Sequence, residues 1–465
     1  MLEKLRIQNF KGWKDTGDIQ LAPITLFFGT NSSGKSSIGH FLMMLKQTVE
    51  SPDRKAVFYT GGKNSAVQLG ALQNIIYQHK KDNDILFDYT WSLPVNMAFR
   101  DLISKKQFSG NALKFSARIG MDRKESQIPM VKRFNYSLLK DNEDVMSISL
   151  AQNSAKKNSY IVTATHYTLR RNKGRAWEIK NPVRFYGFPE EVSAYYQNAD
   201  FVQNMNLEQE NLFRSIMYLG PLRTKAERIY SWSGTEPEHV GYSGENAVAA
   251  LLSAKDRVIN LDYKGKYRPL SENIASSLKK MQLIDDFTVN KISEDRQDYE
   301  VKVVAKGSSE PVDIPDVGVG VSQVLPVLVQ CFYAPANSII IMEQPEIHLH
   351  PAAQADLADV MIDVIKSREG GEDRNIQLII ETHSEHFLRR LQRRIAEGVI
   401  TKDKVVSYFA DNAVLPAKLT ALDVDEFGNI KNWPKNFFGD EMGDIAAQAR
   451  AVLEKRKSMR GKNAY

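Results

Sequence analysis

Residues 24–46 constrain this chain more than any other stretch. An apolar run (Ile24, Leu26, Phe27, Phe28) leads into Gly29-Thr30-Asn31-Ser32-Ser33-Gly34-Lys35-Ser36, which has the spacing G-x-x-x-x-G-K-S. Ile38, Phe41, Leu42 and Leu45 then recur at i, i+3, i+4 and i+7, predicting a helix over 36–46 with one buried face. Strand, glycine-rich turn and helix N-terminus in that order are the context a phosphate-binding loop requires. Gly29 and Gly34 let the backbone N–H groups of Asn31, Ser32, Ser33, Gly34 and the following Ser36-Ser37 turn converge on phosphate oxygens. The positive end of the helix dipole points at the same spot. Lys35 is expected on the β- and γ-phosphates, and Ser36 on Mg²⁺. The bland alternative, a glycine-rich turn that happens to carry a lysine, does not account for the flanks. The chain is expected to bind a nucleotide.

The 465 residues suffice for two to three domains, or for one large α/β domain with insertions. With 42% hydrophobic and 25% charged residues the composition is that of a soluble globular protein. No apolar run approaches the ~20 residues of a membrane span, and no signal-peptide pattern opens the chain, so a cytoplasmic protein is expected. The single cysteine, Cys331, excludes an intrachain disulfide framework and a Cys-rich metal site. It lies in an apolar run and reads as a small buried hydrophobe. The net charge of +6 permits nucleic-acid contact without demonstrating it.

Leu2, Leu5, Ile7 and Phe10 read as a first strand, with Ile19–Leu21 as its hairpin partner. The fragment Arg6-Ile7-Gln8-Asn9-Phe10-Lys11-Gly12, upstream of a G-x-N-x-S-G-K-S loop, resembles ATPases of the ABC superfamily in its SMC/Rad50/OLD branch. That resemblance implies an α/β, ABC-type P-loop NTPase fold binding ATP with Mg²⁺. It also implies a Q-loop glutamine between the phosphate loop and the next lobe, where Gln68 and Gln73 are both candidates and either can equally be a surface amide. From 84 to 210 a β-rich insertion is expected, packed on the nucleotide lobe, with strand-like runs at Ile85–Trp91, Leu113–Ile119, Val145–Leu150 and Tyr160–Thr168. It carries basic clusters (Lys105-Lys106, Lys132-Arg133, Lys156-Lys157, Arg170–Arg175) interleaved with Tyr136, Tyr160, Tyr167 and Trp177. Such a pattern suits DNA backbone contact, and it suits an ordinary solvated β-surface as well. No heptad repeat of the length of a coiled-coil arm is present. The domains expected are 1–83, the N-terminal ATPase half; 84–210, the insertion; 211–400, the C-terminal half; and 401–465, a small C-terminal domain.

The second half carries the remaining motifs. Tyr218-Leu219-Gly220-Pro221-Leu222-Arg223, followed by Val240–Glu245, resembles OLD-like ATPases and their AAA_15/AAA_21-type relatives with a DUF3696-like C-terminal domain. Arg223 is left between facing a phosphate and capping a turn. Leu278–Leu283 reads as helix and 286–304 as strands. Gly318-Val319-Gly320-Val321-Ser322-Gln323 opens a helix over 322–333 with Ser322 as its expected N-cap. The resemblance makes Gly320, Ser322 and Gln323 the signature motif, which binds the γ-phosphate of ATP held by the opposite protomer. The run Ser338–Met342 ends in Glu343, at the Walker B position, where a carboxylate orients the Mg²⁺ shell. The superfamily's catalytic glutamate should come next, and the residue there is Gln344. A glutamine positions water but cannot act as a base. Glu346 is the nearest carboxylate that can serve instead. His350 falls at the D-loop position; a metal site on His348 and His350 competes, but no cysteine or acidic cage accompanies them. After the helix expected over 353–366, the strand Gln377–Ile380 leads to Glu381-Thr382-His383, and His383 resembles the switch histidine that contacts the γ-phosphate. Arg389, Arg390, Arg393 and Arg394 form a basic helix face, solvated or partner-binding.

A last strand, Val405–Ala410, precedes Gly428-x-Ile430-x-x-Trp433-Pro434-x-x-Phe437-Phe438, the other mark of the DUF3696-like subfamily. Too few residues follow His383 for a Toprim nuclease domain, and Asp423 and Asp425 read as turn residues. The resemblance thus implies an ATPase that pairs head to tail around ATP and gates a separately encoded effector, plausibly a nuclease or toxin in antiphage defence or DNA repair. An ATP-locked scaffold that does not hydrolyse is the alternative, favoured by Gln344. A transporter motor is disfavoured by the long polar stretch between Lys35 and Ser322.

Overall fold

Five short apolar runs lie side by side as the parallel part of a six-stranded sheet in the computed structural model of the chain. It describes all residues except 81, 122–127, 157–158, 175–177, 262–264, 414, 435–436, 438–440 and 463–465. The strand order is Ile216–Leu219, Ile339–Glu343, Gln377–Glu381, Ile24–Gly29, Val405–Asp411, with Lys418–Ala421 antiparallel at the edge. Continuous apolar runs are what a sheet covered on both faces requires. Alternation sends Phe27, Ile339, Ile341 and Ile379 into one core, and Leu26, Phe28, Ile340, Met342 and Ile380 into the other.

The helix Lys35–Glu50 lies in the first core, between this sheet and a second, antiparallel one. It is therefore buried nearly all round, Met43, Met44 and Val49 included, and not on the single face its periodicity predicts. Gly39 allows the close approach: a Cβ there would stand 3.2 Å from Ile341 Cγ2.

The antiparallel sheet runs Trp13–Asp15, Leu2–Phe10, Ile85–Arg100, Gln107–Met121, Pro129–Lys140, Glu143–Gln152, Tyr160–Thr165, and Ile19–Gln20 also pairs with Leu2–Phe10. The expected strands are present, three of them longer than their apolar runs and the fourth ending earlier, at Thr165, and Pro129–Lys140 is an additional strand. Ile85–Arg100 pairs directly with Leu2–Phe10, so the strands after residue 84 extend the sheet that residues 2–20 begin. Tyr136, Tyr160 and Tyr167 do not stand out as stacking platforms. All three are buried, and their hydroxyls donate to the carbonyls of Tyr186 (3.2 Å), Val131 (2.7 Å) and Asn198 (2.5 Å). Their alternation places them on the core face, whose apolar area decides the orientation. Trp177, Lys157 and Arg175 lie outside the described residues. Lys132 and Arg118 converge on one carboxylate, Asp84, at 2.6 and 2.5 Å.

The second core is built from Ala247–Ser253, Leu270–Lys280, Val319–Tyr333, Pro351–Lys366 and Glu385–Ala396. The helix expected at 278–283 thus begins earlier and stops at Lys280, and strands Ile284–Lys291 and Asp298–Ala305 follow it. The four arginines of the last helix are all ion-paired. Arg394 meets Asp359 at 2.6 Å, Arg390 meets Asp356 at 3.0 Å, and Arg389 and Arg393 meet Glu385 and Glu397 one turn away. Two of them therefore join this helix to Pro351–Lys366, and the basic face is largely neutralised. Phe437 packs on Phe28 and Phe409, which attaches the C-terminal segment behind the phosphate-loop strand. Among the described residues no helix is long and apolar enough to cross a membrane.

Arg374 ends the helix Val319–Tyr333 from within the core. Its guanidinium, 1% exposed as a residue, donates to the carbonyls of Cys331 and Phe332 and to Ser367 Oγ. A cation at a helix C-terminus satisfies carbonyls the helix leaves open. Arg374→Met should therefore strand several buried acceptors and lower the unfolding free energy by about 3 kcal/mol. The exposed pair partner Arg389→Ala should cost below about 1 kcal/mol. Urea unfolding of both variants checks the contrast; equal losses would refute it.

Candidate functional site

The carboxyl ends of the parallel strands meet at one edge, where open α/β sheets bind ligands. There the chain turns at Gly29 (φ 146°), Ser32 (φ 60°) and Gly34 (φ 93°) into the helix beginning at Lys35. Both glycines are also required by space: a Cβ on Gly29 would lie 2.2 Å from the Ala410 carbonyl oxygen, and one on Gly34 would lie 3.0 Å from the Trp13 ring. Trp13 Nε1 donates to the Gly34 carbonyl at 3.0 Å, and Asn412 braces the loop from the next strand. It accepts from Thr30 Oγ1 at 2.9 Å and donates to the Ser32 carbonyl at 3.2 Å. Asn31 and Ser32 are exposed, whereas Ser33 is buried with its hydroxyl unpartnered. Lys35 is folded back, donating to the Gly29 and Thr30 carbonyls at 3.1 and 2.8 Å. Burial lowers its pKa, and the nearby Glu381 opposes the shift. Ser36 and Ser37 are half-buried on the first turn.

Glu343 ends its strand with Oε1 accepting from Tyr218 OH at 2.7 Å and facing His40 Nε2 at 3.0 Å. Lys11 Nζ reaches the other nitrogen of that imidazole at 3.2 Å. Gln344 follows at φ 47°, in a left-handed conformation costly for a residue with a side chain. Its N–H donates to the Glu381 carbonyl at 2.8 Å. Arg223 donates to the Glu343 and Gln344 carbonyls at 3.2 and 3.3 Å. Of the alternatives left open for Arg223, the structure has the second: it caps a turn, the one that follows Glu343. Burial brings its pKa down to about 10, with Glu346 opposing.

Glu346 does not face outward as a base. It is 5% exposed, and Oε1 accepts from Thr382 Oγ1 at 2.6 Å and from the His383 N–H at 2.9 Å. Burial raises its pKa. The carboxylate holds the backbone that carries His383. His383 is exposed at the surface, and partial burial, then the Lys35 ammonium, lower its pKa, which favours the neutral imidazole.

The signature helix begins at Val319, and Gly318 is its N-cap, not Ser322. Apolar periodicity runs back through Val324 to Val321, which draws one more turn into the helix. Ser322 sits in that first turn and donates to the Val319 carbonyl at 2.9 Å, with Gln323 half-buried beside it. Gly320 packs over the D-loop: a Cβ would lie 3.3 Å from the His348 carbonyl oxygen. Val319 is 59% exposed, so this helix start faces outward. His350 is exposed and caps Pro351–Lys366, its Nδ1 accepting from the Ala352 N–H at 3.3 Å. Among the described residues no group of three His, Cys, Asp or Glu is placed to hold a metal ion.

Gln68 is exposed and donates to the Lys63 carbonyl at 3.0 Å. Gln73 lies on the short helix Leu72–Ile75, whose Ile75 carbonyl accepts from the Lys11 N–H. Four residues of the site had no role in the sequence reading: Glu381, Tyr218, His40 and Asn412. Glu381 and Asn412 lie at or just beyond the ends of apolar strands, but that those strands flank the phosphate-loop strand is set by sheet order, which no spacing shows. His40 had no signal beyond its place on the helix, one turn after Ser36.

The donor set fits a nucleotide and a hard cation. Two glycines open the loop, Ser33 offers a buried orphan hydroxyl, and Ser36, Glu343 and Glu381 bring oxygen ligands together. Similar solved structures include an SMC head bound to the C-terminal winged-helix domain of ScpA, at 12% identity and a TM-score of 0.43, covering 91% of this chain and 98% of that one. The SMC head domain from Thermotoga maritima matches at 10% identity and 0.39, covering 91% and 99%. An SMC head with an extended coiled coil, bound to the C-terminal domain of ScpA derived from Pyrococcus furiosus, matches at 11% identity and 0.43, covering 98% and 99%. No curated protein matches the sequence. Residues 400–448 match the family described as "Protein of unknown function (DUF3696)". With residues 24–389 matched, the chain belongs to the family described as "AAA domain, putative AbiEii toxin, Type IV TA system".

Proposed function

We propose that the chain is a slow, Mg²⁺-dependent ATPase that pairs head to tail around ATP and, through that cycle, controls a separately encoded effector. The observation that carries this reading is the meeting of Lys35, Ser36, Glu343 and His383 at one sheet edge, with an amide at Gln344 where a base is expected. Lys35, now bonded to loop carbonyls, is poised to exchange them for phosphate oxygens. The loop N–H groups and the helix dipole hold the rest of the triphosphate. Bound at Ser36 and Glu343, Mg²⁺ would neutralise charge developing on the phosphoryl oxygens. Neutral His383 can donate one hydrogen bond there. Gln344 orients water without taking its proton, and Glu346 is committed to Thr382 and His383, so turnover falls well below the ~10 s⁻¹ median of enzymes.

The outward signature helix start, seated on the D-loop backbone, supports pairing with a second copy. The family description names a toxin of a toxin–antitoxin system, which supports an effector-controlling role in cytoplasmic defence. The DNA-contact reading loses Tyr136, Tyr160 and Tyr167 to the core and is not carried forward. Gln344 also favours a second reading, an ATP-locked scaffold, and turnover separates the two.

Lys35→Ala should abolish nucleotide retention, measured by calorimetry on the folded variant; parental affinity would remove the site. Gln344→Glu should raise the ATPase rate and Glu343→Ala should abolish it. Glu346→Gln, which keeps the acceptor for Thr382 and His383, should leave the rate near the parent's; a loss as deep as that of Glu343→Ala would restore Glu346 as the base. Ser322→Arg should remove any assembly that a non-hydrolysable ATP analogue induces in light scattering. Unchanged assembly would mean that pairing uses another surface.

A further inference from the structure

Glu381 closes the strand Gln377–Glu381 and is the register partner of Glu343 on the parallel neighbour. Partners on adjacent parallel strands, about 4.8 Å apart, project to the same face. Here that face looks onto one side of the helix Lys35–Glu50. Glu343 meets His40 at 3.0 Å, and Ser36 lies beside the Glu381 carboxyl. Ser36 and His40 are four residues apart and so share a helix face. The result is a square of two carboxylates, a hydroxyl and an imidazole, at the mouth of the phosphate loop.

The square is unbalanced as it stands. Glu343 Oε1 has two neighbours, Tyr218 and His40, whereas Glu381 Oε2 is buried with no hydrogen-bond partner. The adjacent lysine does not supply one, because Lys35 donates to the Gly29 and Thr30 carbonyls. Two carboxylates side by side away from solvent repel unless a cation stands between or beside them. Three hard oxygen donors, from Ser36, Glu343 and Glu381, are the ligand type that Mg²⁺ selects.

We propose that Glu381 is a second carboxylate of the divalent-cation site, acting with Glu343 and Ser36 on the Mg²⁺ that accompanies the nucleotide. The inference rests on the nucleotide reading above and goes beyond it. The carboxylate that the motif lacks after Glu343 is replaced on the cation side of the site by one from the neighbouring strand. Its companion at the next position, Gln344, is bonded to it only through backbone, Gln344 N–H to the Glu381 carbonyl. Replacing the Glu381 side chain therefore leaves that link in place.

The test is calorimetric titration of ADP into the full chain with and without Mg²⁺, for the parent and for Glu381→Gln, an isosteric change. The parent should bind ADP more tightly with Mg²⁺. Glu381→Gln should bind Mg²⁺-free ADP at least as well as the parent, since one negative charge fewer faces the phosphates. Its gain from Mg²⁺ should shrink about 10- to 100-fold. Mn²⁺ titrated against the ADP-bound protein and followed by electron paramagnetic resonance should show the same weakening. A parental Mg²⁺ gain in Glu381→Gln overturns the assignment while leaving the nucleotide site intact. A parent that binds no ADP overturns both. Should Glu381→Gln not fold, Glu381→Asp keeps the charge on a shorter arm; it should lose part of the gain, and a full parental gain there overturns the proposal equally.

Discussion

The turn after Glu343 is held by backbone, and the rest of the site is arranged around that fact. Arg223 grips two successive carbonyls, and the Glu381 carbonyl takes the Gln344 N–H. A left-handed residue with a side chain costs on the order of 1–3 kcal/mol, so such a turn persists only where neighbours over-determine it. Net hydrogen bonds to a charged donor contribute about 1.5–3 kcal/mol each, enough to offset the strain. With the turn fixed, Glu343 is aimed at His40, and Glu346 is delivered beneath Thr382 and His383. Two neighbouring strand ends become one rigid unit, which is the preorganisation that electrostatic catalysis requires.

This rigidity explains why Glu346 reads differently in sequence and in space. Two residues beyond Gln344, it was the nearest carboxylate along the chain, and sequence distance made it a candidate base. The positive φ at Gln344 turns the chain, and the carboxylate goes inward to satisfy a hydroxyl and an N–H that would otherwise be buried unpaired. Leaving such groups unpaired costs about 1–3 kcal/mol each. What was legible in the sequence were groups defined by local spacing: the phosphate loop, the strand ending in Glu343, the strand before His383 and the outward helix start. What was not legible were groups defined by strand order. Glu381 enters the site only because its strand lies between those of Glu343 and Gly29, and no spacing announces that order. Likewise Tyr218 and Asn412 arrive from strands more than a hundred residues from the groups they touch.

The same distinction applies to the sheets. Alternation in 84–165 marked four of the strands and missed Pro129–Lys140, and a lone reading of charge placed Tyr136, Tyr160 and Tyr167 beside the lysines. Adjacent residues on a strand face opposite sides, so interleaved aromatics and cations belong to different surfaces. The aromatics went to the core, Tyr136 against Phe115 and Phe188 and Tyr167 against Phe201, where each large ring buries far more apolar area than it could on a groove. Trp13 then links that lobe to the phosphate loop through its bond to the Gly34 carbonyl.

One stretch of chain touches both the turn after Glu343 and the segment that leads into the helix Val319–Tyr333. Arg223 holds the Glu343 and Gln344 carbonyls, and five residues on Arg228 pairs with Asp313 and bidentately with Asp316, just ahead of the Gly318 cap. The two anchorages differ in kind. Arg223 is buried, where removing a partner exposes unpaired carbonyls in a medium that cannot solvate them. Arg228 lies in solvent, where water and salt screen its pairs. The stretch is therefore fixed at the turn beside Glu343 and loosely tethered at the helix start. A displacement of that turn would carry the stretch with it and reach the Gly318 cap through the weaker tether. Motion of the helix start alone would break exposed pairs first and leave the turn in place.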